Sequence, residues 1–240
     1  MMRRAQPLLG TLVEIGVCCG DAVGVAASDA AFAAVREVQA VLSRFEPESD
    51  VARFNEMRRG ECLTMRPNTR QVLAAARSLQ DASSGAFDIS LGSAPHGWRC
   101  DGDELHKLDD AARIDLGGIG KGHAVDAAVR ALVAHGVAAG WVNAGGDLRA
   151  FGAAAVPVQL RDEASGGVRP FATLHDGAFA TSHFDLDSRS RLAPAHAARA
   201  HVSVAAPLCL WADALTKVVA LSGDTAHPLL KRFGASAWLH

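Results

Sequence analysis

The chain has 240 residues, enough to bury a sizeable core as one domain or two small ones. Its 24 basic and 26 acidic residues carry no run of either sign, which argues against nucleic acid or an anionic membrane surface as the main partner. The apolar stretches are too short to span a bilayer, and five cysteines without a C-x-x-C spacing fit reduced thiols rather than a disulfide framework or a zinc site.

Met1-Met2-Arg3-Arg4 is a positive start of the signal-peptide kind, but Glu14 breaks the following run before any cleavage-like site. The segment is therefore expected to be a strand of the fold, in a cytoplasmic protein, or a periplasmic one if a leader was trimmed. Leu8 to Val17 alternates and is β-branched, as a strand interrupted at Gly10. From Ala26 to Phe45, the residues Phe32, Val35, Val38, Leu42 and Phe45 recur every three or four positions, the stripe of an amphipathic helix. A second helix is expected over Thr69 to Asp81, burying Val72, Leu73, Ala76 and Leu79. Gly85 to Ser90, G-A-F-D-I-S, reads as a strand edge, and Leu91 to Ala112 as a short polar connection.

Arg113 to Asp126, R-I-D-L-G-G-I-G-K-G-H-A-V-D, reads as a short strand carrying Asp115, a glycine turn, and a helix. Glycine lets a ligand approach the backbone, and a helix N-terminus leaves N–H donors unpaired, so phosphate is the natural guest. A Walker A loop is excluded because Asp115 and Gly122 stand where it needs glycine and a hydroxyl, and the dinucleotide fingerprint fails because the pattern is G-x-G-x-G. The other reading is a plain tight turn before a helix. Asp115 then caps that turn instead of positioning or deprotonating a reactant, and Lys121 is solvated instead of meeting a phosphate.

The helix that follows buries Ala124, Val125, Ala128, Val129, Leu132 and Val133 and stops at His135-Gly136. Trp141 to Gly152, W-V-N-A-G-G-D-L-R-A-F-G, is a strand, a second glycine turn and a strand. From Val156 the chain reads as β-rich through G-A-F-A-T-S-H-F and His201 to Pro207, and W-A-D-A-L-T-K opens a final helix.

These motifs, in this order from Leu9 onward, resemble those of the FAD:protein FMN transferase (ApbE) family. The first glycine segment is similar to its D-L-G-G-I-A-K-G-x-A-V-D and the second to its V-N-x-G-G-D-x-R-x-x-G. Weaker likenesses lie in Gly10-Thr11, in S-R-F-E-P-E-S-D-V-A-R-F-N, in G-A-F-D-I-S and in A-F-A-T-S-H-F. The resemblance implies an α+β fold of ApbE-like (T-fold-like) type, with mixed, largely antiparallel sheets and packed helices. Residues 1–240 would form a single domain, either undivided or built of two intertwined lobes with a cleft between. It implies an enzyme that splits FAD at its pyrophosphate, attaches FMN to a threonine of an acceptor flavoprotein and releases AMP. An FAD pyrophosphatase and a non-catalytic FAD carrier stay open beside it.

The same resemblance distributes roles over the chain. Leu9 and Thr11 would lie against the flavin, and Phe45 would stack on its ring, unless Phe45 is simply the last residue of the helical stripe. Phe87 and Asp88 would meet the flavin edge. Asp115, Gly118, Lys121, Asn143, Gly145, Gly146 and Asp147 would approach phosphates and ribose, with backbone amides and a carboxamide rather than a cationic cluster as donors. Thr181 and Ser182 would sit near the cleft. Asp115, Lys121 and Asp213 would be catalytic, and Mg²⁺ would be held by the Gly120 carbonyl, Asp213 and a threonine four residues further on. Here Lys217 stands at that place and Thr216 one residue earlier, both on the Asp213 face of the helix. Either Thr216 is a shifted ligand, which is the expectation, or the Lys217 ammonium takes part of the cation's space. The family's D-P-x-T-G segment is also missing, replaced by D-S-R-S-R-L-A-P-A-H-A-A-R-A, and His183, His196 and His201 fit no zinc spacing.

Overall fold

The computed structural model describes residues 1–162, 166–184 and 200–240; His196 and, up to Arg199, the stretch in place of D-P-x-T-G lie outside them. The main sheet is antiparallel throughout, in the order β1 (Met2–Leu8), β2 (Thr11–Val17), β6 (Gly140–Ala144), β7 (Asp147–Asp162), β8 (Gly167–Phe184), β9 (Ala200–Ala206), β10 (Ser236–Leu239). A small sheet pairs β3 (Cys62–Thr64) and β4 (Trp98–Asp101) with β5 (Glu104–Lys107) between them. The helices are α1 (Asp21–Leu42), α2 (Asp50–Glu56), α3 (Pro67–Ala82), α4 (Gly120–Ala134), α5 (Cys209–Ser222) and α6 (Pro228–Arg232).

Strand alternation gives the main sheet two unlike faces. Val142, Ala178, Ala180, Val202 and Val204 join the main core under the helices, where α4 packs between α1 and α5. That core continues through Leu73 of α3 to Leu63 and Leu105 of the small sheet. Trp141, Leu148, Ala150, Val158, Leu160 and Phe179 form a second cluster on the opposite face.

Several local expectations are corrected. The first strand is a hairpin: Leu9 (φ 56°) and Gly10 (φ 69°) are both left-handed, the two-residue turn whose twist suits paired strands. The first helix starts earlier and ends at Leu42, three residues before Phe45. Ser43 turns the chain out of the helix, its Oγ accepting from the Phe45 N–H (3.2 Å) while its carbonyl accepts from Ser49 Oγ (2.6 Å). Gly85 to Ser90 is a pair of turns rather than a strand edge, because the Asp88 carboxylate takes the N–H groups of Ser90 (2.8 Å) and Gly92 (2.9 Å). The polar connection holds β4 and β5, and Trp98 and Leu105 are buried beneath it. No strand carries Asp115. Instead, the Asn55 carboxamide takes the place of a neighbouring strand, accepting from Ile114 N (2.7 Å) and donating to Ile114 O (3.0 Å).

Candidate active site

The first glycine segment folds as a bend over Leu116 to Ile119, after which Gly120, Lys121 and Gly122 form the first turn of α4. Asp115 stands at its entrance, where its carboxylate accepts from Gly117 N (2.8 Å) and pairs with Arg44 (3.3 Å). Arg44 in turn covers one side of the Phe45 ring, 4.6 Å from its centroid, and Phe45 is 79% exposed. Asp115 thus caps the turn and ties it to the aromatic side chain.

The second bend lies between β6 and β7. Gly145 (φ 64°) and Gly146 (φ 103°) make the reversal, and Asn143 braces it, accepting from Gly146 N (3.0 Å) and donating to Glu14 (3.2 Å). Gly145 rests on Thr11 so closely that a Cβ there would lie 2.4 Å from the threonine Oγ1. Asp147 follows, buried, with its carboxylate paired to the Lys121 ammonium. The two bends, distant in sequence, are joined by this ion pair.

A groove of about 1170 Å³ opens beside the junction. Its walls include Leu9, Thr11, Lys121, Asn143, Gly145, Gly146 and Thr181 among the residues expected to meet the cofactor. Phe45, Phe87, Asp88, Asp115 and Gly118 lie outside those walls. For Phe87 and Asp88 the structure gives other work: Phe87 is buried in the main core and Asp88 holds its own turn. Thr181 shares a hydrogen bond with Ser203 (2.8 Å).

Under the first bend lies α5. Asp213, fully buried, accepts from Gly122 N (3.2 Å) on one oxygen and from the Lys217 ammonium on the other. Lys217 also donates to the Asp213 carbonyl (2.9 Å) and to Ser182 Oγ (3.3 Å), and its Cε would sit 3.1 Å from a Cβ placed on Gly118. Thr216 Oγ1 donates to the Asp213 carbonyl (2.7 Å) and contacts Ser182 Oγ (2.8 Å). Lys121, Asp147, Asp213 and Lys217 therefore form one cluster of two ammonium and two carboxylate groups, buried except at half-buried Lys121. Burial works against the Lys121 charge, but Asp147 and Asp213 outweigh it and raise its pKa above the usual lysine range. Burial likewise opposes the Asp213 charge, and Lys121 and Lys217 overcome it, holding this carboxyl below its ordinary value. Asp147 is pushed up to about 6, because burial and the Asp213 charge outweigh its lysine partners.

This arrangement uses part of the expected donor set inside the protein. The N–H groups of Gly117, Gly120, Gly122 and Gly146 are already taken by Asp115, Leu116, Asp213 and Asn143. Those four amides are committed within the protein, and beside them Lys121 brings an ammonium to the groove wall. The expected Mg²⁺ ligands do not fit that ion as they stand. Both Asp213 oxygens are engaged, one by an ammonium, the Thr216 hydroxyl is turned back to its own helix, and Gly120 is buried in the first turn of α4. Among the described residues, the group of Cys, His and acidic side chains close enough to share an ion is Cys62, Glu104 and His106, on the small sheet and apart from this cluster.

Two residues that carry the site, Asp126 and Asn55, were given no role from the sequence, and a third, Ser182, was expected only to lie near the cleft. Asp126 accepts from the N–H groups of Cys209 (3.0 Å) and Leu210 (2.9 Å), capping the start of α5, and pairs with Arg149 (2.7 Å). The signal was present, since an aspartate on the buried side of a helix must find donors. Asn55 fixes the segment leading into the first bend, and Ser182 bridges Lys217 and Thr216.

A family model described as the ApbE family matches residues 9–112 and 98–238. None of the curated proteins compared with the chain matches it. Among solved structures, flavinyl transferase ApbE of Pseudomonas stutzeri in its apo form superposes with a TM-score of 0.83 at 23% identity, covering 99% of this chain and 90% of that one. Flavin transferase ApbE from Vibrio cholerae gives 0.81 at 18%, over 99% and 92%, and the ApbE protein from Thermotoga maritima gives 0.86 at 22%, over 99% and 93%. The fold is therefore that of these structures.

Proposed function

The chain belongs to the ApbE family, and from that premise we propose that it is a flavin transferase, moving FMN from FAD to a threonine of an acceptor flavoprotein. In this reaction the threonine oxygen bonds to the phosphorus of the FMN half and the bond from that phosphorus to the bridging oxygen breaks. AMP leaves with the electron pair, and the hydroxyl proton passes to solvent. Such a transfer asks the protein for positioning and for positive charge beside the pyrophosphate more than for covalent chemistry.

The observation that carries the reading is the meeting of the two bends through Lys121 and Asp147 at the edge of the groove. The pyrophosphate lies where the bare backbone of Gly145 and Gly146 allows close approach to Lys121, which is half-buried and keeps its charge. Phe45, exposed and held next to the first bend by Arg44, offers a flat apolar face to the isoalloxazine ring. Asp115 positions that pair of residues, and Asp213 sets the place of the buried charges beneath the bend.

The test is to incubate the protein with FAD and a flavoprotein that carries FMN on threonine when mature, purified without it, and to weigh the acceptor by mass spectrometry. A mass gain of one FMN with release of AMP is expected. AMP without a gain on the acceptor would replace the transferase by a pyrophosphatase, and intact FAD bound to the protein would replace it by a carrier.

A further inference from the structure

We infer that the ammonium of Lys217 takes the place of a divalent cation beside Asp213 in this protein, so that FAD is bound without metal and Lys121 is the cation its pyrophosphate meets. The inference rests on the FAD reading for the identity of the ligand, but the argument for the cation's place stands on the cluster itself.

Lys217 has three N–H donors and three acceptors around it: an Asp213 carboxylate oxygen, the Asp213 carbonyl and Ser182 Oγ. These are oxygen atoms of the kind a hard divalent ion selects, and the ammonium uses them all. It is 7% exposed, so its position is set by these contacts and not by solvent. Its stem passes under Gly118, where a side chain would crowd it, and so reaches the first bend from beneath. A metal on Asp213 would have to displace the ammonium and then share a closed space with it. No acidic group in the cluster is left over to balance the added charge, because Lys121 and Lys217 already match Asp147 and Asp213. Thr216, the remaining candidate ligand, commits its proton to the Asp213 carbonyl and faces Ser182. Lys217 is thus a buried, fixed source of positive charge, and Lys121, on the wall of the groove, is the cation that touches the anion.

Two measurements decide it. In the first, Mn²⁺ is titrated into the whole protein and free Mn²⁺ is followed by electron paramagnetic resonance, alongside the variant K217T, which supplies a hydroxyl in place of the ammonium. The wild type is expected to leave the Mn²⁺ signal unchanged, and K217T to bind one ion per chain. In the second, FAD binding is followed by flavin fluorescence in EDTA and in Mg²⁺. The wild-type affinity is expected to agree within about twofold between the two, whereas K217T gains about tenfold or more from Mg²⁺. One Mn²⁺ bound by the wild type and still bound by H106A, which removes the small-sheet group, or a tenfold gain of wild-type affinity from Mg²⁺, overturns the inference. So does a folded K217T that still ignores both ions. If K217T does not fold, the wild-type arms decide alone. A wild type that binds FAD in neither buffer sinks the flavin transferase reading, while the Mn²⁺ titration still decides the place of the cation.

Discussion

In the first bend Gly118 and Gly122 are packed against protein, whereas in the second Gly146 stands open at the mouth of the groove. A Cβ on Gly122 would lie 2.3 Å from the Cys209 carbonyl oxygen, and one on Gly118 would press on Lys217, yet neither glycine has a positive φ. Gly146 is the reverse case: its φ is 103°, and a Cβ would meet nothing within 4 Å. The first bend needs glycine for its size at Gly118 and Gly122, and the second for its handedness at Gly145 and Gly146, with Gly145 also held to glycine by Thr11. The two halves of the site are therefore built by different means, α5 brought up close under one and a ligand admitted to the other, and substitutions should break them differently.

The largest effect is expected where the first bend is fixed to α5. In D126A the N–H groups of Cys209 and Leu210 lose their cap and Arg149 loses its partner. Removing one member of a buried ion pair costs about 3–5 kcal/mol, measurable as a lower midpoint in urea, and FAD affinity falls with it because α5 carries Asp213 and Lys217. A loss below about 1 kcal/mol would show that packing alone seats α5. G122A comes next. The backbone oxygen of Cys209 cannot swing aside as a side chain can, so overpacking of about 1–3 kcal/mol is expected to exceed the roughly 1 kcal/mol that alanine gains in a helix. G118A sharpens the contrast, since its neighbour is a flexible lysine stem, and its cost should be the smaller of the two in the same urea titration.

The sequence showed the two bends, their order and the helices beside them, because glycine clusters and apolar spacing of three and four are local signals. It did not show what the glycines of the first bend face. Gly122 needs Cys209, 87 positions later, and Asp126 needs Cys209 and Leu210, and no local pattern states such a pairing. The core place of the Phe87 side chain was hidden for the same reason: an aromatic before an aspartate looks the same whether it lines a ligand or fills the core. Lys217 was legible as a departure from the family pattern, but only its three acceptors show that it is a fixed part of the cluster. The polar run from Leu91 to Ala112 hid two four-residue strands because so short a strand carries too little alternation to register.

At the second bend the expected effects move from folding to binding. G146A strains a backbone at φ 103° that alanine rarely adopts, for a cost of about 1–2 kcal/mol. Its methyl group also points into space that the phosphate would use. A fall of about tenfold in FAD affinity by fluorescence titration is expected, a larger change at the ligand than G118A should give for its loss of stability. Equal losses of stability and affinity in the two variants would erase the distinction drawn between the bends.

The smallest expected effect is the pH dependence of FAD binding. Asp147 titrates near 6 and faces Lys121, Asp213, Lys217 and Cys209. Burial and the surrounding carboxylates push the Cys209 thiol well up, so it stays neutral in this range. As pH falls through about 6, Asp147 takes a proton and releases Lys121 from its ion pair, which gives the cluster a net positive charge facing the groove. FAD affinity should then rise, by roughly threefold between about pH 7.5 and about pH 5. The folded-state value lies above the unfolded one, so the contribution of Asp147 to stability is fully present below about 3.9 and is lost as pH rises through about 6. D147N removes the titrating carboxyl and so isolates both effects. It should bind FAD at about pH 7.5 as the wild type does at about pH 5, and a D147N protein that keeps the wild-type slope would place the proton elsewhere.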